Sequence, residues 1–232
     1  MSASTSSLAS FLSPDDCSIK ICGVTTAADA HALVAHGIAA LGVNFWPLSK
    51  RFIAHDDAAP WLHEVASKIL RVGVFVNSTS DLIAEIYAQG LIDLVQLHGD
   101  ESPEQMSGLL AQGIPCIKAL GLKEQSDVAQ AHEYAGALGL LLDTAAPGVY
   151  GGTGATFDWA LAGAVHRSMP EMPLLLAGGI TAENAESAVR AVRPCAIDIA
   201  SGAEISPGVK DFVKVQAIQN AVNLAKTVKA FS

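Results

Sequence analysis

Eight short, nearly unbroken apolar runs recur along the chain, at 18–22, 40–45, 70–76, 93–97, 114–118, 138–142, 173–177 and 195–199. Runs this short, apolar at successive rather than alternate positions, fit strands covered on both faces, as in parallel sheets. Helix-like stretches separate them at 26–36, 56–67, 79–88, 102–111, 125–134, about 158–166 and 181–190, and another closes the chain at about 210–227. Residues suited to capping mark the starts: Thr25 or Thr26, Ser80, Ser102 before Pro103, and Thr181 with Asn184 nearby. Gly37, Gly90 and Gly113 follow predicted helix ends, where a left-handed residue is wanted. Eight strand–helix units with no compositional break predict a single α/β domain, a (β/α)8 TIM barrel over residues 18–232. A doubly wound open sheet is the rival architecture. It calls for a glycine fingerprint after the first strand and an acidic ribose ligand about 20 residues later, and neither is present.

Composition fills in this picture. Half of the 232 residues are hydrophobic and 16% are charged, enough apolar bulk for a large core. The net charge of −9 argues against nucleic acid or an anionic membrane as the main partner. It leaves open a small phosphorylated ligand, because glycine-rich turns and helix N-termini bind phosphate through backbone N–H groups. Cys17, Cys22, Cys116 and Cys195 show no paired metal spacing, so free thiols in a reducing cytoplasm are expected, with no metal and no cofactor. Residues 1–17 are Ser- and Ala-rich without a basic leader region and read as a loose, flexible extension. No run reaches the roughly 18 apolar residues of a membrane span.

The candidate chemistry lies at the ends of the strands. Cys22 closes the first apolar run and Asp143 follows the sixth; in a barrel of this kind that end carries the active site. A thiol and a carboxyl group on separate strands fit proton transfer, as in an isomerase or lyase that needs no cofactor. Taken singly, Cys22 also fits a small buried hydrophobe and Asp143 a cap for its loop. As a base, Cys22 needs its thiolate stabilised, by Lys20 or by a cationic intermediate. Asp143 must hold a proton, for which Asp198 is a candidate negative neighbour, or a rival acid. His98 ends the fourth strand, where it lines the pocket. Gly178-Gly179 and Ser201-Gly202 follow the last two strands, the usual place for a phosphate site built from backbone amides. Lys50-Arg51 follows the second strand, and arginine offers the planar fork that suits a carboxylate. The glycine-dense loop at 147–155 fits a lid or an anion-binding turn.

Taken together, KICGVT at 20–25, NFWPLSKRFI at 44–53, RVGVFVN at 71–77, VQLHGDE at 95–101, LLDT at 141–144, GGTGATFDW at 151–159, AGGIT at 177–181 and IDIASGAE at 197–204 resemble the phosphoribosylanthranilate isomerase family of tryptophan biosynthesis. The resemblance runs in order across the chain beyond residue 17. It implies an Amadori rearrangement of N-(5-phosphoribosyl)anthranilate to 1-(2-carboxyphenylamino)-1-deoxyribulose 5-phosphate. It further implies Asp143 as general acid, Cys22 as general base across the lumen from it, Arg51 on the anthranilate carboxylate, and Gly179, Ser201 and Gly202 around the phosphate. His98 and Asp198 are expected to contact substrate. Ala155, Ala200 and Asn44 depart from common family residues. Monomers and homodimers both fit such a barrel. Other phosphate-binding barrels, such as indoleglycerol-phosphate synthase or sugar-phosphate epimerases, lack the paired KICG and GGTG-x-TFDW elements. A related bifunctional isomerase would carry aspartate in place of Cys22. A barrel that binds without turnover is the non-enzymatic alternative.

Overall fold

A computed structural model describes residues 3–144 and 158–227 of the chain. Helix α1 (Ala3–Phe11) precedes β1 (Ser18–Cys22). There follow α2 (Ala27–Ala35), β2 (Ala40–Asn44), α3 (His55–Glu64), β3 (Leu70–Phe75), α4 (Ser80–Ala88), β4 (Leu94–Leu97), α5 (Pro103–Ala111) and β5 (Cys116–Leu122). The second half continues with α6 (Gln125–Gln130), β6 (Leu140–Thr144), α7 (Trp159–Ser168), β7 (Leu174–Leu176), α8 (Ala185–Val192) and β8 (Ala196–Ile199). The hairpin β9 (Glu204–Ser206) and β10 (Val209–Lys210) then leads into α9 (Phe212–Thr227). Strands β1 to β8 close in sequence order into a parallel barrel, β8 pairing back onto β1. No described helix is long and apolar enough to cross a membrane.

Strand side chains alternate between the lumen and the helical shell, because the strand repeat is two residues. Ile19, Ile21, Leu140, Leu142, Ile197 and Ile199 pack outward in the main core. Lys20, Cys22, Gln96, Asp143 and Asp198 stand on the opposite, lumen-facing positions of their strands. The lower lumen is filled by an apolar layer that includes Ala40, Leu70, Leu94, Leu141 and Leu175. Polar groups therefore gather at the carboxyl ends of the strands, above a dry floor.

The extension differs from its expectation as a loose segment. Residues 3–11 form a helix, and its Phe11 is only 2% exposed, seated in the apolar layer that closes the bottom of the lumen. Leu8 and Leu12 pack beside it. Leu8, Phe11 and Leu12 fall at helical spacing, and that apolar face finds its partner in the barrel floor rather than in its own neighbourhood.

Helix caps follow local chemistry with small shifts. Thr26 accepts from Asp29 N at 3.1 Å and Ser102 from Gln105 N at 3.3 Å. Thr79, not Ser80, caps α4, accepting from Leu82 N. Helix α8 starts later than expected: Asn184 Oδ1 accepts from Thr181 N at 2.8 Å and Nδ2 donates to Gly179 O at 2.9 Å, which holds 179–184 as a turn.

Candidate active site

Cys22 ends β1 at the mouth of the lumen, partly buried. Two residues below it, on the same face, Lys20 is fully buried and donates from Nζ to Asp198 Oδ1 at 2.8 Å. Lys20 and Asp198 are register partners on the adjoining strands β1 and β8, so the pair follows directly from barrel closure. Lys20 Nζ and the Cys22 thiol crowd the same spot over Gly42, close enough for each to shift the other's pKa. Burial pulls the Lys20 pKa down, but the charges of Asp198 and Cys22 outweigh it and hold the ammonium form. Burial pushes the Cys22 thiol up; Lys20 pulls it down without cancelling the rise. The free site therefore holds a neutral thiol beside a permanent cation. Gly42 on β2 leaves the room: a Cβ there would lie 2.8 Å from Cys22 Sγ and 3.0 Å from Lys20 Nζ.

Asp143 sits on the lumen side of β6 and is 7% exposed. Its Oδ1 accepts from Thr144 N at 2.7 Å, and its Oδ2 lies 3.4 Å from His98 Nε2. A Cβ on Gly178, whose φ is +82°, would come within 3.0 Å of Asp143 Oδ1, so the first glycine after β7 makes space for the carboxyl group. Strand β6 is three places round the barrel from β1, not directly across from it, so Cys22 and Asp143 flank an arc of the lumen. Asp198, expected as a negative neighbour of Asp143, a rival acid or a substrate ligand, has its Oδ1 paired with Lys20 on the thiol's side of the site.

Arg51 follows β2 and reaches over the first strand's loop. Its Nε donates to Glu204 Oε1 at 2.8 Å and its Nη2 to Oε2 at 2.7 Å. Glu204 begins β9 and also accepts from Lys210 Nζ at 2.7 Å, and Lys210 in turn bonds the Cys22 carbonyl. Burial raises Glu204, but Arg51 and Lys210 more than offset it and hold the carboxylate ionised. The Glu204 hydrogen bond raises Arg51 above its usual range, while burial depresses Lys210 despite Glu204. One edge of the Arg51 guanidinium, Nε with Nη2, is thus fixed, and Nη1 makes no hydrogen bond among the described residues. Lys50, its neighbour in sequence, is exposed. Gly23 (φ +74°) lies beneath this arm, and a Cβ there would stand 2.3 Å from Arg51 Cδ.

The turns after β7 and β8 meet. Gly178 and Gly179 both have positive φ, +82° and +60°. A Cβ on Gly202 would come 2.0 Å from the Ile180 carbonyl, so the Ser201-Gly202 turn packs directly on the Gly178-Gly179 turn. Both turns are backbone-rich and stand at the carboxyl ends of neighbouring strands. Asn44, the departure in the second strand, uses its Oδ1 to accept from Trp46 N at 2.9 Å and turns the chain toward Arg51. The 147–155 loop and Ala155 lie outside the described residues.

Residues 19–221 match the family model described as N-(5'-phosphoribosyl)anthranilate (PRA) isomerase. The chain belongs to the phosphoribosylanthranilate isomerase family. It is 44% identical over 213 residues to the N-(5'-phosphoribosyl)anthranilate isomerase of Myxococcus xanthus, covering 90% of this chain and 96% of that one. The corresponding protein of Magnetococcus marinus is 42% identical, with 90% and 96% covered. Among solved structures, phosphoribosyl anthranilate isomerase from Thermotoga maritima superposes with a TM-score of 0.81 at 37% identity, covering 89% of this chain and 98% of that chain. A family structure in complex with reduced 1-(o-carboxyphenylamino)-1-deoxyribulose 5-phosphate gives 0.78 at 35%, with 89% and 99% covered.

Within the phosphoribosylanthranilate isomerase barrel, three polar residues that sequence reasoning left without a role prove to be built into the site: Glu204, Lys210 and Gln96. Glu204 and Lys210 belong to a hairpin whose strands are three and two residues long, too short to show a periodic pattern. Gln96 carries the one usable signal, a polar residue inside an apolar strand on the lumen-facing position.

Proposed function

We propose that this chain catalyses the isomerisation of N-(5'-phosphoribosyl)anthranilate, with Asp143 as general acid and Cys22 as general base. The observation that carries the reading is the placement of a thiol and a carboxyl group on lumen-facing strand ends at one mouth of the barrel, with Lys20 against the thiol. Asp143 delivers its proton to the furanose ring oxygen as the C1–O bond breaks, and the amine lone pair forms the C1=N iminium. Cys22, a thiol in the free site, releases its proton to solvent as the iminium forms beside Lys20; the thiolate then takes the C2 proton, and the electron pair of that C–H bond forms the C1=C2 enolamine as the C1=N pair returns to nitrogen. Tautomerisation moves the hydroxyl proton at C2 to C1 and yields the ketone; Cys22 is again a thiol, and Asp143 regains its proton from solvent.

Each charge in that sequence has a counterpart. The Lys20 ammonium lowers the cost of the thiolate in a site where burial opposes it. The iminium adds a second positive charge at the moment the base is needed. Arg51, held by Glu204, is placed for the anthranilate carboxylate. The paired turns of Gly179 and of Ser201-Gly202 are placed for the phosphate, with backbone amides in place of basic side chains. A phosphorylated small molecule is the substrate class, and the acidic surface is compatible with it because recognition is local.

The reading is tested by following consumption of freshly prepared phosphoribosylanthranilate by fluorescence. Turnover is expected for the wild type and a loss of orders of magnitude for Cys22→Ala and for Asp143→Asn. Near wild-type turnover by either variant would remove that residue from its role.

A further inference from the structure

Gln96 is fully buried in the lumen face of β4, directly below His98. Its Nε2 lies 2.8 Å from His98 Nδ1. With the Gln96 amide in this orientation its Nε2 is the donor, and the ring nitrogen it meets is then the unprotonated one. The single proton of a neutral imidazole is then on Nε2, the nitrogen that faces Asp143 Oδ2 at 3.4 Å. Gln96 Oε1 has no partner among the described residues, although the atom is buried. The amide thus leaves an acceptor unsatisfied in order to present its donor to the histidine, an arrangement with a cost of its own.

The tautomer matters because of what the alternative would do. An imidazolium this close would favour the Asp143 carboxylate and strip the proton that the acid has to deliver. A neutral ring still offers Nε2–H to the carboxylate that appears once the proton has gone, where the negative charge develops. We propose that Gln96 is a positioning residue for the isomerisation, holding His98 as the neutral, Nε2-protonated imidazole so that Asp143 keeps its proton until the ring oxygen takes it. This rests on Asp143 being the general acid.

The surroundings of the ring leave that task to Gln96. On the loop following β4, Asp100 bonds Asn77 from the end of β3, and Glu101 pairs with Lys118 of β5 at 3.0 Å. Lys118 points away from the lumen, its Nζ held by Glu101 and by the Leu97 and Gly99 carbonyls. Across the lumen, Asp198 is paired with Lys20. From the end of β7, Gly178 lies against Asp143 and carries no charge. Among the described residues, Asp143 is therefore the ionisable group set against His98 Nε2.

The test is nitrogen NMR of protein labelled at histidine, with the His98 signals assigned by His98→Gln, together with the pH profile of turnover. Wild-type His98 should show Nδ1 unprotonated and Nε2 protonated at neutral pH. Gln96→Glu replaces the donor by an acceptor of nearly the same shape, and His98 should then carry protons on both nitrogens at neutral pH. The limb of the kcat profile set by Asp143 should move to lower pH by about one to three units. Neutral-pH kcat should fall with the shift, because fewer molecules hold a protonated Asp143, while KM changes little. Gln96→Leu, which neither donates nor accepts, should restore a titrating His98 and give a smaller shift in the same direction. A wild-type ring protonated on Nδ1 would overturn the proposal. So would a doubly protonated ring in Gln96→Glu with the pH limb unmoved, or a kcat loss in both variants with no shift at all. The NMR result does not depend on turnover, so an active Asp143→Asn variant would refute the acid, and with it the purpose of Gln96, without altering the ring's measured protonation.

Discussion

Glu204 grips Arg51 through two parallel hydrogen bonds, Nε to Oε1 at 2.8 Å and Nη2 to Oε2 at 2.7 Å, and so fixes the direction in which the guanidinium faces the site. Lys210 shares the same carboxylate and ties it to the Cys22 carbonyl. The arm that would bind substrate and the strand that carries the base are therefore one connected unit.

Glu204→Gln should loosen that unit at both ends. It removes the charge that balances Arg51 and Lys210 in a buried setting, where breaking a pair costs about 3–5 kcal/mol. The expected result is a KM raised about tenfold or more with a smaller change in kcat, and a lowered unfolding midpoint in denaturant. An unchanged KM would mean that Arg51 does not depend on Glu204 for its aim.

Lys20→Met takes the cation away from Cys22 and leaves Asp198 buried without its partner. Burial raises the thiol and Lys20 is the main group opposing the rise, so the thiol should climb further. The limb of the kcat profile set by Cys22 should move to higher pH, and neutral-pH turnover should fall about tenfold or more. A stopped-flow pH series checks both. A profile that keeps its limb would show that Lys20 serves only to pair Asp198.

Cys116 and Cys195 are buried, and burial pushes both thiols up to about 12 from a usual 9.0. A group whose pKa is raised by folding adds stability at pH below its unfolded value and loses it as pH rises through the folded one. Unfolding free energy should accordingly decline between about pH 9 and 12, by up to about 4 kcal/mol for each thiol. Denaturant titrations across that range should show a shallower decline for Cys116→Ala, which starts out less stable at pH 8 because of its cavity.

Phe11→Ala should cost stability and leave chemistry alone. The ring fills the apolar floor of the barrel, at the end opposite Cys22 and Asp143. Emptying such a site costs about 3–5 kcal/mol, and the unfolding temperature should drop by several degrees or more. Calorimetry beside the turnover assay checks this; a wild-type melting point would mean that the helix is not anchored through Phe11.

The barrel was legible because its strands are covered on both sides, so each reads as a mostly apolar run. Cys22 and Asp143 stood out for that reason: each is the lumen-facing residue at the last or next-to-last position of its strand. The partner of Asp198 was not legible, since Lys20↔Asp198 is a register between the first and last strands that only closure creates. Glu204 and Arg51 are 153 residues apart, and no local pattern announces such a pair. The helix at 3–11 went unseen because its composition is that of a linker and its apolar face is satisfied only by the barrel floor. Lys118 illustrates the reverse: a lysine inside an apolar strand that looks out of place until Glu101 and the carbonyls of the preceding loop are seen around it.

The most direct test of the account is turnover of phosphoribosylanthranilate by the wild type, Cys22→Ala and Asp143→Asn in one assay, with folding of each variant checked by circular dichroism. The wild type should turn over, and the two folded variants should still bind substrate but lose orders of magnitude in kcat. A folded Cys22→Ala or Asp143→Asn protein that works at the wild-type rate would contradict it.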